Sequence, residues 1–269
     1  MTINPLFQRL VLITGAEALE KLTQTRALVF GLGGVGSWCA EALVRSGIGR
    51  IGIVDSDTVC VTNINRQAQA TSRTVGLFKA EVLKQRLLEI NPRCEVTAWS
   101  AVFSRENAGG FDIPGADYVI DAIDSLGNKL DLIEITCAAG IPLFSSMGMA
   151  QKIDPTRLKT AGIWETSGCP LARLVRQGLR KRGFSGNFTV VYSGERLPRR
   201  EEIALSCGSR LCLCASGRAA SGDCGAEGTS GGTDWCGSKK VINGSAVTVT
   251  AAAGMVLASL VLRDIMERP

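Results

Sequence analysis

The sequence predicts an α/β fold in which a mostly parallel, doubly wound sheet has helices on both faces. First, a short apolar run at residues 27–30 is followed at once by a group of glycines. Second, a helical pattern follows those glycines, and another short apolar run follows the helix. Third, strand and helix patterns keep alternating up to about residue 150, which is typical of a parallel sheet.

The first strand, helix and second strand form one βαβ unit. Residues 27–30 (ALVF) are too few for a helix and are bounded by glycine, which predicts a buried parallel strand. A helical pattern covers residues 37–46, and residues 50–54 form the next strand, which leads into Asp55. The turn between strand and helix contains Gly31, Gly33, Gly34 and Gly36. Because glycines let the backbone approach a phosphate and a helix N-terminus attracts anions, the unit predicts a Rossmann-like nucleotide site.

The rest of the chain continues this pattern. Further helices are predicted at residues 75–90, 130–139, 169–182 and 251–262, and strands at residues 94–103, 116–122 and 141–146. Residues 1–25 are predicted to be helical with a break at Gly15. We therefore expect one domain over residues 1–269, with a nucleotide-binding half at 1–150 and a C-terminal half at 151–269.

The composition is that of a globular protein, and it excludes two classes of mechanism. Of 269 residues, 45% are hydrophobic, 20% are charged and none is histidine, so serine–histidine and cysteine–histidine catalysis are excluded. The net charge of +5 permits a nucleic-acid partner without requiring one. Ten cysteines occur in a chain whose N-terminus has no apolar signal-peptide core, which predicts a reduced, cytoplasmic protein.

Charged residues after the second strand favour a triphosphate over a nicotinamide cofactor. Asp55 lies about 20 residues beyond the glycines, where an acidic side chain binds ribose hydroxyls. Arg66 and Lys79 follow it, and cations there would spread the charge that develops when an α-phosphate is attacked. Lys79 is expected near the start of a helix, where the helix dipole opposes a cation unless an anion lies beside it.

Four segments together resemble the ubiquitin-activating-enzyme-like (ThiF/MoeB/HesA) adenylyltransferase superfamily: GLGGVG, DSDTVCVTNINRQ, VGLFK and VIDAIDS. The resemblance implies that ATP binds at the glycine turn, with Asp55 on its ribose and Asp124 holding magnesium. Asp121 could equally hold the metal or cap the next helix. The resemblance also implies that Arg9 reaches the triphosphate of a neighbouring subunit in a homodimer. A solvated surface arginine is equally consistent with the sequence alone.

The resemblance implies two overlapping sets of site residues. The catalytic set is Arg66, Lys79, Asp124 and Arg9. The nucleotide-binding set is Gly31, Gly33, Gly34, Gly36, Asp55, Asp57, Asn63, Asn65, Arg66, Lys79, Asp124 and Ser125. Within the second set, Asn65, Arg66 and Lys79 are expected to hold the phosphates.

Three later segments resemble one branch of this superfamily, the tRNA threonylcarbamoyladenosine dehydratases: SSMGMAQKIDPTRL, CPLARLVRQGLRKRG and NGSAVTVTAAAGMVLASLVLRD. The chain departs from that branch at Cys169, where an acidic residue is usual. The resemblance implies ATP- and magnesium-dependent dehydration of threonylcarbamoyladenosine in tRNA, with a sulfur-transfer protein as a possible further partner.

Two other functions remain open at this point. One is an adenylyltransferase that activates the C-terminus of a ubiquitin-like sulfur carrier, which normally has paired CxxC zinc motifs that this chain lacks. The other is a nucleotide-binding module without catalysis, which would have no need of Arg66, Lys79 and Asp124 together. Both features favour the dehydratase.

A basic stripe is predicted on the helix at residues 169–182. Arg173, Arg176 and Arg180 are spaced to share one face, and Lys181 and Arg182 extend the charge. Such a stripe suits a phosphate backbone, although a solvated helix face has the same pattern. The resemblance favours tRNA contact.

Two segments near the C-terminus allow more than one interpretation. Residues 206–240 are rich in glycine and predict a mobile loop. Its cysteines do not have zinc-ligand spacing, so we expect no zinc: they are Cys207, Cys212, Cys214, Cys224 and Cys236. Residues 241–262 carry no charge and are nearly long enough to span a bilayer, but the pattern at 251–262 favours a buried closing helix over a membrane anchor.

Overall fold

Seven short strands form one sheet in the computed structural model, which describes residues 4–197 and 243–267. The strands are β1 Arg26–Phe30, β2 Arg50–Val54, β3 Glu95–Trp99, β4 Tyr118–Asp121, β5 Leu143–Ser146, β6 Leu158–Gly162 and β7 Thr189–Ser193. Their order across the sheet is β3-β2-β1-β4-β5-β7-β6, and every neighbouring pair is parallel except β6 and β7. The predicted α/β fold class is confirmed.

Helices cover both faces of this sheet. They are α1 Gln8–Thr14, α2 Ala16–Gln24, α3 Gly36–Arg45, α4 Lys79–Ile90, α5 Leu126–Ala138, α6 Pro170–Lys181 and α7 Val247–Glu267. Alternate residues of β1 enter opposite cores: Ala27 and Val29 pack with α3, α4 and α7, whereas Leu28 and Phe30 pack with α5 and α6. Since both faces of β1 are buried, its sequence is uniformly apolar rather than alternating.

The strand order places a crevice beside β1. The chain runs from β1 to β2 and β3 on one side, then returns to β4 on the other side of β1. At such a reversal the loops leave the sheet in opposite directions, and ligands bind outside the carboxyl ends of the strands. Gly31 follows β1, Asp55 follows β2 and Asp124 follows β4, so all three lie at this edge.

The structure corrects the bounds of predicted helices and adds two strands. The helix expected at residues 75–90 begins only at Lys79, because Gly76 has φ +90° and a β-bridge between Thr58 and Phe78 keeps the preceding chain extended. The helix expected at residues 130–139 begins earlier, at Leu126. Strands β6 and β7 were not predicted, because short runs such as LKTAG show no clear alternation.

The C-terminal helix α7 packs into the core. It is long and apolar enough to cross a membrane by length and composition. Nevertheless its buried residues, among them Val249, Leu257 and Val261, join the core cluster shared with α3. A Cβ atom at Gly254 would lie 2.5 Å from the carbonyl oxygen of Val35, so the two helices are in close contact. This burial agrees with the closing-helix interpretation, which the sequence favoured over a membrane anchor; contact with a membrane is untested.

Candidate functional site

The glycine turn after β1 is closed on one side and open on the other. Gly31 has φ +87°, and a Cβ atom there would lie 2.6 Å from the carbonyl oxygen of Ala122. At Gly36 a Cβ atom would lie 1.8 Å from the carbonyl oxygen of Gly31. At Gly33, by contrast, the nearest atom would be the Nε2 of Gln67, 4.0 Å away. The turn therefore needs glycine to fold and leaves room for a ligand at Gly33.

The helix that follows this turn begins without a side-chain cap. Val35 precedes α3 and has no side-chain acceptor for the first N–H groups of the helix, of which that of Ser37 donates to the carbonyl oxygen of Gly33 at 3.2 Å. Gly34 sits against Thr250 of α7, whose side chain would be 3.1 Å from an added Cβ atom. An uncapped helix start beside an open glycine turn is suited to bind a phosphate through backbone N–H groups.

Asp55, at the end of β2, closes the crevice next to the glycine turn. Its Oδ2 accepts a hydrogen bond of 2.7 Å from the N–H of Leu32, and its Oδ1 accepts one of 2.9 Å from the N–H of Asp57. Burial raises the pKa of Asp55 above its ordinary value, while the nearby charge of Lys79 opposes this. The carboxylate thus braces the turn, and its oxygens keep lone pairs for a ligand hydroxyl.

Lys79 and Asp57 form an ion pair beside Asp55. The Nζ of Lys79 lies 2.6 Å from Asp57 Oδ2 and 3.8 Å from Asp55 Oδ1. Lys79 is buried although it is the first residue of α4, where the helix dipole disfavours a cation. The sequence argument took that anion to be a bound ligand. The structure places Asp57 beside Lys79, so the ligand role of Lys79 stays a prediction.

The NINR segment holds its side chains by local hydrogen bonds. Asn63 is buried, and its Oδ1 accepts from the N–H of Cys60 at 3.0 Å, so this side chain closes a turn. Asn65 donates through Nδ2 to the carbonyl oxygen of Ser245 at 2.9 Å. That bond joins the segment to the chain just before α7.

Arg66 is held in place from two sides. Its guanidinium donates to the carbonyl oxygen of Thr62 at 2.7 Å and to Asn65 Oδ1 at 3.0 Å. Its own carbonyl oxygen accepts from Trp38 Nε1 of α3 at 3.0 Å. Burial lowers the pKa of Arg66, and the charge of Asp124 is one of the effects that oppose this. Arg66 of the NINR segment and Asp124 of VIDAIDS are therefore close enough for the charge of Asp124 to affect the pKa of Arg66.

Asp124 and Ser125 lie in the turn between β4 and α5. The carboxylate of Asp124 is on an exposed residue, whereas Asp121, at the end of β4, is fully buried. Asp121 forms an ion pair with Lys129 at 2.5 Å, so within the described chain it does not point to the surface. Asp124 is thus the better placed of the two aspartates for a ligand. Ser125 precedes α5 and makes no side-chain capping bond.

Sequence reasoning missed two glutamines next to the glycine turn. Gln69 donates through Nε2 to the carbonyl oxygen of Leu32 at 2.8 Å. The Oε1 atoms of Gln67 and Gln69 are buried and have no hydrogen-bond partner among the described residues. Their position directly after Arg66, in the run RQAQ, was the available signal.

Arg9 is not brought to this crevice within one chain. It is an exposed residue of α1. Phe7, just before α1, lies 3.6 Å from the position of a Cβ atom at Gly47, which precedes β2 and is therefore at the opposite edge of the sheet. A contribution of Arg9 to a neighbouring subunit's site stays a prediction.

Most of the basic stripe on α6 is engaged by the chain itself. Arg176 donates to the hydroxyl of Thr166, and the guanidinium carbon of Arg180 lies 5.2 Å from the ring centre of Trp164. Arg182 is ion-paired to Asp131 at 2.7 Å and to Glu134 at 3.0 Å. Arg173 and Lys181 are exposed. Only the contacts of Arg182 are ion pairs, because a hydroxyl or an aromatic ring leaves the charges of Arg176 and Arg180 in place.

No cluster for a tightly bound metal is present in the described part of the chain, because three His, Cys, Asp or Glu side chains nowhere converge there. The five cysteines of residues 206–240 lie outside the described residues, so the expectation of no zinc is untested. Cys169 is buried at the start of α6.

Known proteins resemble this chain over nearly its whole length. The tRNA threonylcarbamoyladenosine dehydratase of Bacillus subtilis is 44% identical over 204 residues, which cover 76% of this chain and 80% of that protein. The Escherichia coli protein of the same name is 37% identical over 94% of this chain and 91% of its own. A crystal structure of the Escherichia coli enzyme in complex with ATP matches with a TM-score of 0.77 at 33% identity, covering 99% of this chain and 97% of that one.

A family model settles the classification. The ThiF family model matches residues 7–267, which include the glycine turn, the NINR segment, Asp124 and α7. The chain belongs to the ThiF family.

Proposed function

We propose that this protein is an enzyme that dehydrates threonylcarbamoyladenosine in tRNA at the expense of ATP. The observation that carries the proposal is the meeting of a glycine turn, Arg66, Lys79 and Asp124 at one edge of the sheet. This arrangement occurs in a chain that resembles dehydratases over almost its full length. A module that only binds a nucleotide would need the turn but not both Arg66 and Lys79 beside it.

The reaction uses ATP to convert one carboxylate oxygen into part of a good leaving group. The carboxylate of the threonine moiety attacks the α-phosphorus of ATP, and pyrophosphate leaves. A neighbouring N–H or O–H group of the same nucleoside then attacks the acyl carbon and loses its proton, a ring closes, and AMP leaves with one former carboxylate oxygen. The net change in the nucleoside is the loss of one water. Charge stabilisation matters more here than a strong base, which suits a chain without histidine.

The geometry suggests a role for each side of the crevice. The backbone of the glycine turn holds phosphate oxygens, and Asp55 accepts from a ribose hydroxyl while it braces Leu32. Arg66 and Lys79 neutralise the charge that develops at the α-phosphate. Lys79 is already paired with Asp57, so Asp57 orients the ammonium group for the phosphate. Asn63 and Asn65 act chiefly by shaping the segment that presents Arg66.

Magnesium fits this site as an ion shared between the protein and the nucleotide. Magnesium is usually held by one or two carboxylates together with substrate phosphates, and Asp124 is an exposed carboxylate at the edge where we place the phosphates. The ion would neutralise phosphate charge when bound. Ser125 lies next to Asp124 and is available to the same nucleotide.

A second copy of the chain is the proposed structural partner. The short helix α1 buries none of its residues, and Leu12 and Ile13 are 84% and 78% exposed. Apolar side chains so exposed favour an interface, and Arg9 lies on the same helix. Packing against a second copy would cover these leucine and isoleucine side chains and bring Arg9 near another molecule.

Nucleoside mass spectrometry tests the proposed reaction. Purified protein, ATP and magnesium are incubated with tRNA that contains threonylcarbamoyladenosine. The tRNA is then digested to nucleosides, and the masses of the nucleosides are measured. We expect loss of one water together with formation of AMP. Arg66→Ala should lower the rate by about a hundredfold or more, as loss of a charge-stabilising donor does. The matched control Arg73→Ala removes an exposed arginine from the same loop and should retain the rate. An unchanged nucleoside despite ATP binding would refute the proposal and favour activation of a sulfur carrier.

A further inference from the structure

A fully buried polar cluster lies directly beneath the predicted nucleotide site. The Nζ of Lys129, in the first turns of α5, is 2.5 Å from Asp121 Oδ2, 3.1 Å from the carbonyl oxygen of Ser146 and 3.4 Å from Ser145 Oγ. Ser145 Oγ in turn donates to Asp121 Oδ2 at 2.6 Å. The side chains of Lys129 and Asp121 are 0% exposed, and so is Ser145.

Stability alone does not explain such a cluster. Removing two charges from water costs several kcal/mol per ion, and a well-packed apolar pair of similar volume is often as stable or more so. The position of the cluster, rather than its energy, therefore points to its use.

Asp121 fixes the turn that presents Asp124. Its second oxygen, Oδ1, accepts a hydrogen bond of 3.0 Å from the N–H of Ile123. Between them, Ala122 donates to the carbonyl oxygen of Phe30 at 2.8 Å, and its own carbonyl oxygen faces Gly31. The backbone leading to Asp124 is thereby tied to β1 and to the glycine turn at once.

Lys129 joins this turn to the next strand. Its contacts with Ser145 and with the carbonyl oxygen of Ser146 reach the end of β5, where the chain enters residues 147–154. One buried ammonium group thus links α5 to the carboxyl ends of both β4 and β5, which are paired in the sheet. Both ends border the crevice, one on the side of Asp124 and the other on the side of the segment SMGMAQKID.

We propose that Asp121 and Lys129 are positioning residues that hold the Asp124 turn, and the end of β5, in register with bound magnesium–ATP. The inference rests on the proposed use of ATP, and it assigns no contact between these two side chains and the nucleotide. Residues that orient a metal-binding carboxylate from behind typically change metal affinity by about 10- to 100-fold when they are removed.

Isosteric removal of both charges separates positioning from folding. Breaking the pair with one substitution would leave a buried charge and strongly destabilise the protein, so the informative variant is Asp121→Asn with Lys129→Met. The control is Glu41→Gln with Arg86→Met, which removes an ion pair of similar length (2.6 Å) between α3 and α4, together with the pairing of Glu41 and Arg45 at 2.9 Å. Ser145→Ala is a milder second variant, because it keeps the Asp121–Lys129 ion pair and removes only the contacts of the Ser145 hydroxyl with these two residues.

Calorimetric titration of the full chain with ATP, with and without magnesium chloride, gives a readout that needs no tRNA. We expect wild type and the Glu41 control to show the same magnesium enhancement of ATP affinity. In the Asp121/Lys129 double variant that enhancement should fall about tenfold or more while the melting temperature stays within a few degrees of wild type. Ser145→Ala should show a smaller loss in the same direction, which keeps the test decisive if the double variant fails to fold.

Three results would overturn the inference. The first is a folded double variant in which magnesium raises ATP affinity as much as in wild type. The second is a Glu41 control that loses as much of this enhancement as the double variant does. The third is a wild-type protein whose ATP affinity magnesium does not raise. Failure of the proposed function would look different. Wild type would then bind magnesium–ATP and leave threonylcarbamoyladenosine unchanged, while the effect of the double variant on ATP affinity could still be read.

Discussion

Gly31→Ala should destabilise the protein through two effects that the structure separates. A residue other than glycine at φ +87° costs about 1–2 kcal/mol in backbone strain. In addition, the new Cβ atom would lie 2.6 Å from the carbonyl oxygen of Ala122, which is backbone and cannot move cheaply. Overpacking of this kind costs about 1–3 kcal/mol more. The expected loss in the free energy of unfolding is therefore about 2–5 kcal/mol.

Gly140→Ala is the matched control for backbone strain alone. Gly140 has φ +71°, but nothing lies within 4 Å of its added Cβ atom, so we expect a loss of only about 1–2 kcal/mol. Urea unfolding followed by tryptophan fluorescence measures both variants, and calorimetry measures their affinity for ATP. Gly31→Ala should also weaken ATP binding, because the clash displaces the turn that leads to Asp124. Equal destabilisation of the two variants, with unchanged ATP affinity in Gly31→Ala, would refute this reasoning.

Three further predictions concern stability and thiol reactivity. Burial of Glu41 is outweighed by hydrogen bonds and charges from two arginines, so its pKa lies below the ordinary 4.5. Glu41→Gln should therefore lower the free energy of unfolding by about 1–2 kcal/mol above pH 4.5. This difference from wild type should vanish as the pH falls through the lowered pKa of Glu41. Burial raises the pKa of Cys94 to about 11, so a maleimide at neutral pH should label Cys94 only after unfolding. Gly254→Ala should destabilise by about 1–3 kcal/mol through its contact with α3, whereas Gly127→Ala, in open space on α5, should stabilise by about 0.5–1 kcal/mol.

Each of these has a clear contrary result. A stability difference between wild type and Glu41→Gln that persists unchanged into strong acid would contradict the lowered pKa. Labelling of Cys94 in the folded protein would contradict its burial. An increase in the free energy of unfolding caused by Gly254→Ala would mean that α7 does not pack closely on α3. That result would favour the membrane interpretation of α7.

The glycine turn and its flanking strands were predictable because local rules determine them. A short apolar run, several glycines and a helical pattern admit few structures, and β1, α3 and β2 lie within one residue of their predicted bounds. The start of α4 was not predictable in the same way. Gly76 at positive φ and the bridge between Thr58 and Phe78 depend on a contact between distant parts of the chain.

The buried cluster of Asp121, Lys129 and Ser145 could not be predicted from the sequence for a related reason. A lysine in the first turns of a helix is usually solvated, and nothing in the sequence around Lys129 indicates that its side chain turns toward the sheet. Its burial follows from the pairing of β4 with β5, which brings Asp121 opposite Ser145. The pairing of Arg182 with α5 was also not predictable, because helical spacing cannot reveal an ion pair to another helix. Contact of the α6 stripe with tRNA stays a prediction.

Isotope transfer from substrate to product tests the proposed chemistry most directly. The carboxylate of threonylcarbamoyladenosine in tRNA is labelled with ¹⁸O, and the reaction is run with unlabelled ATP. The ¹⁸O content of AMP and of pyrophosphate is then measured by mass spectrometry. Adenylation at the α-phosphorus predicts one ¹⁸O atom in each AMP, none in pyrophosphate, and one AMP for each nucleoside that loses water. Unlabelled AMP, or label in inorganic phosphate formed together with ADP, would contradict the mechanism.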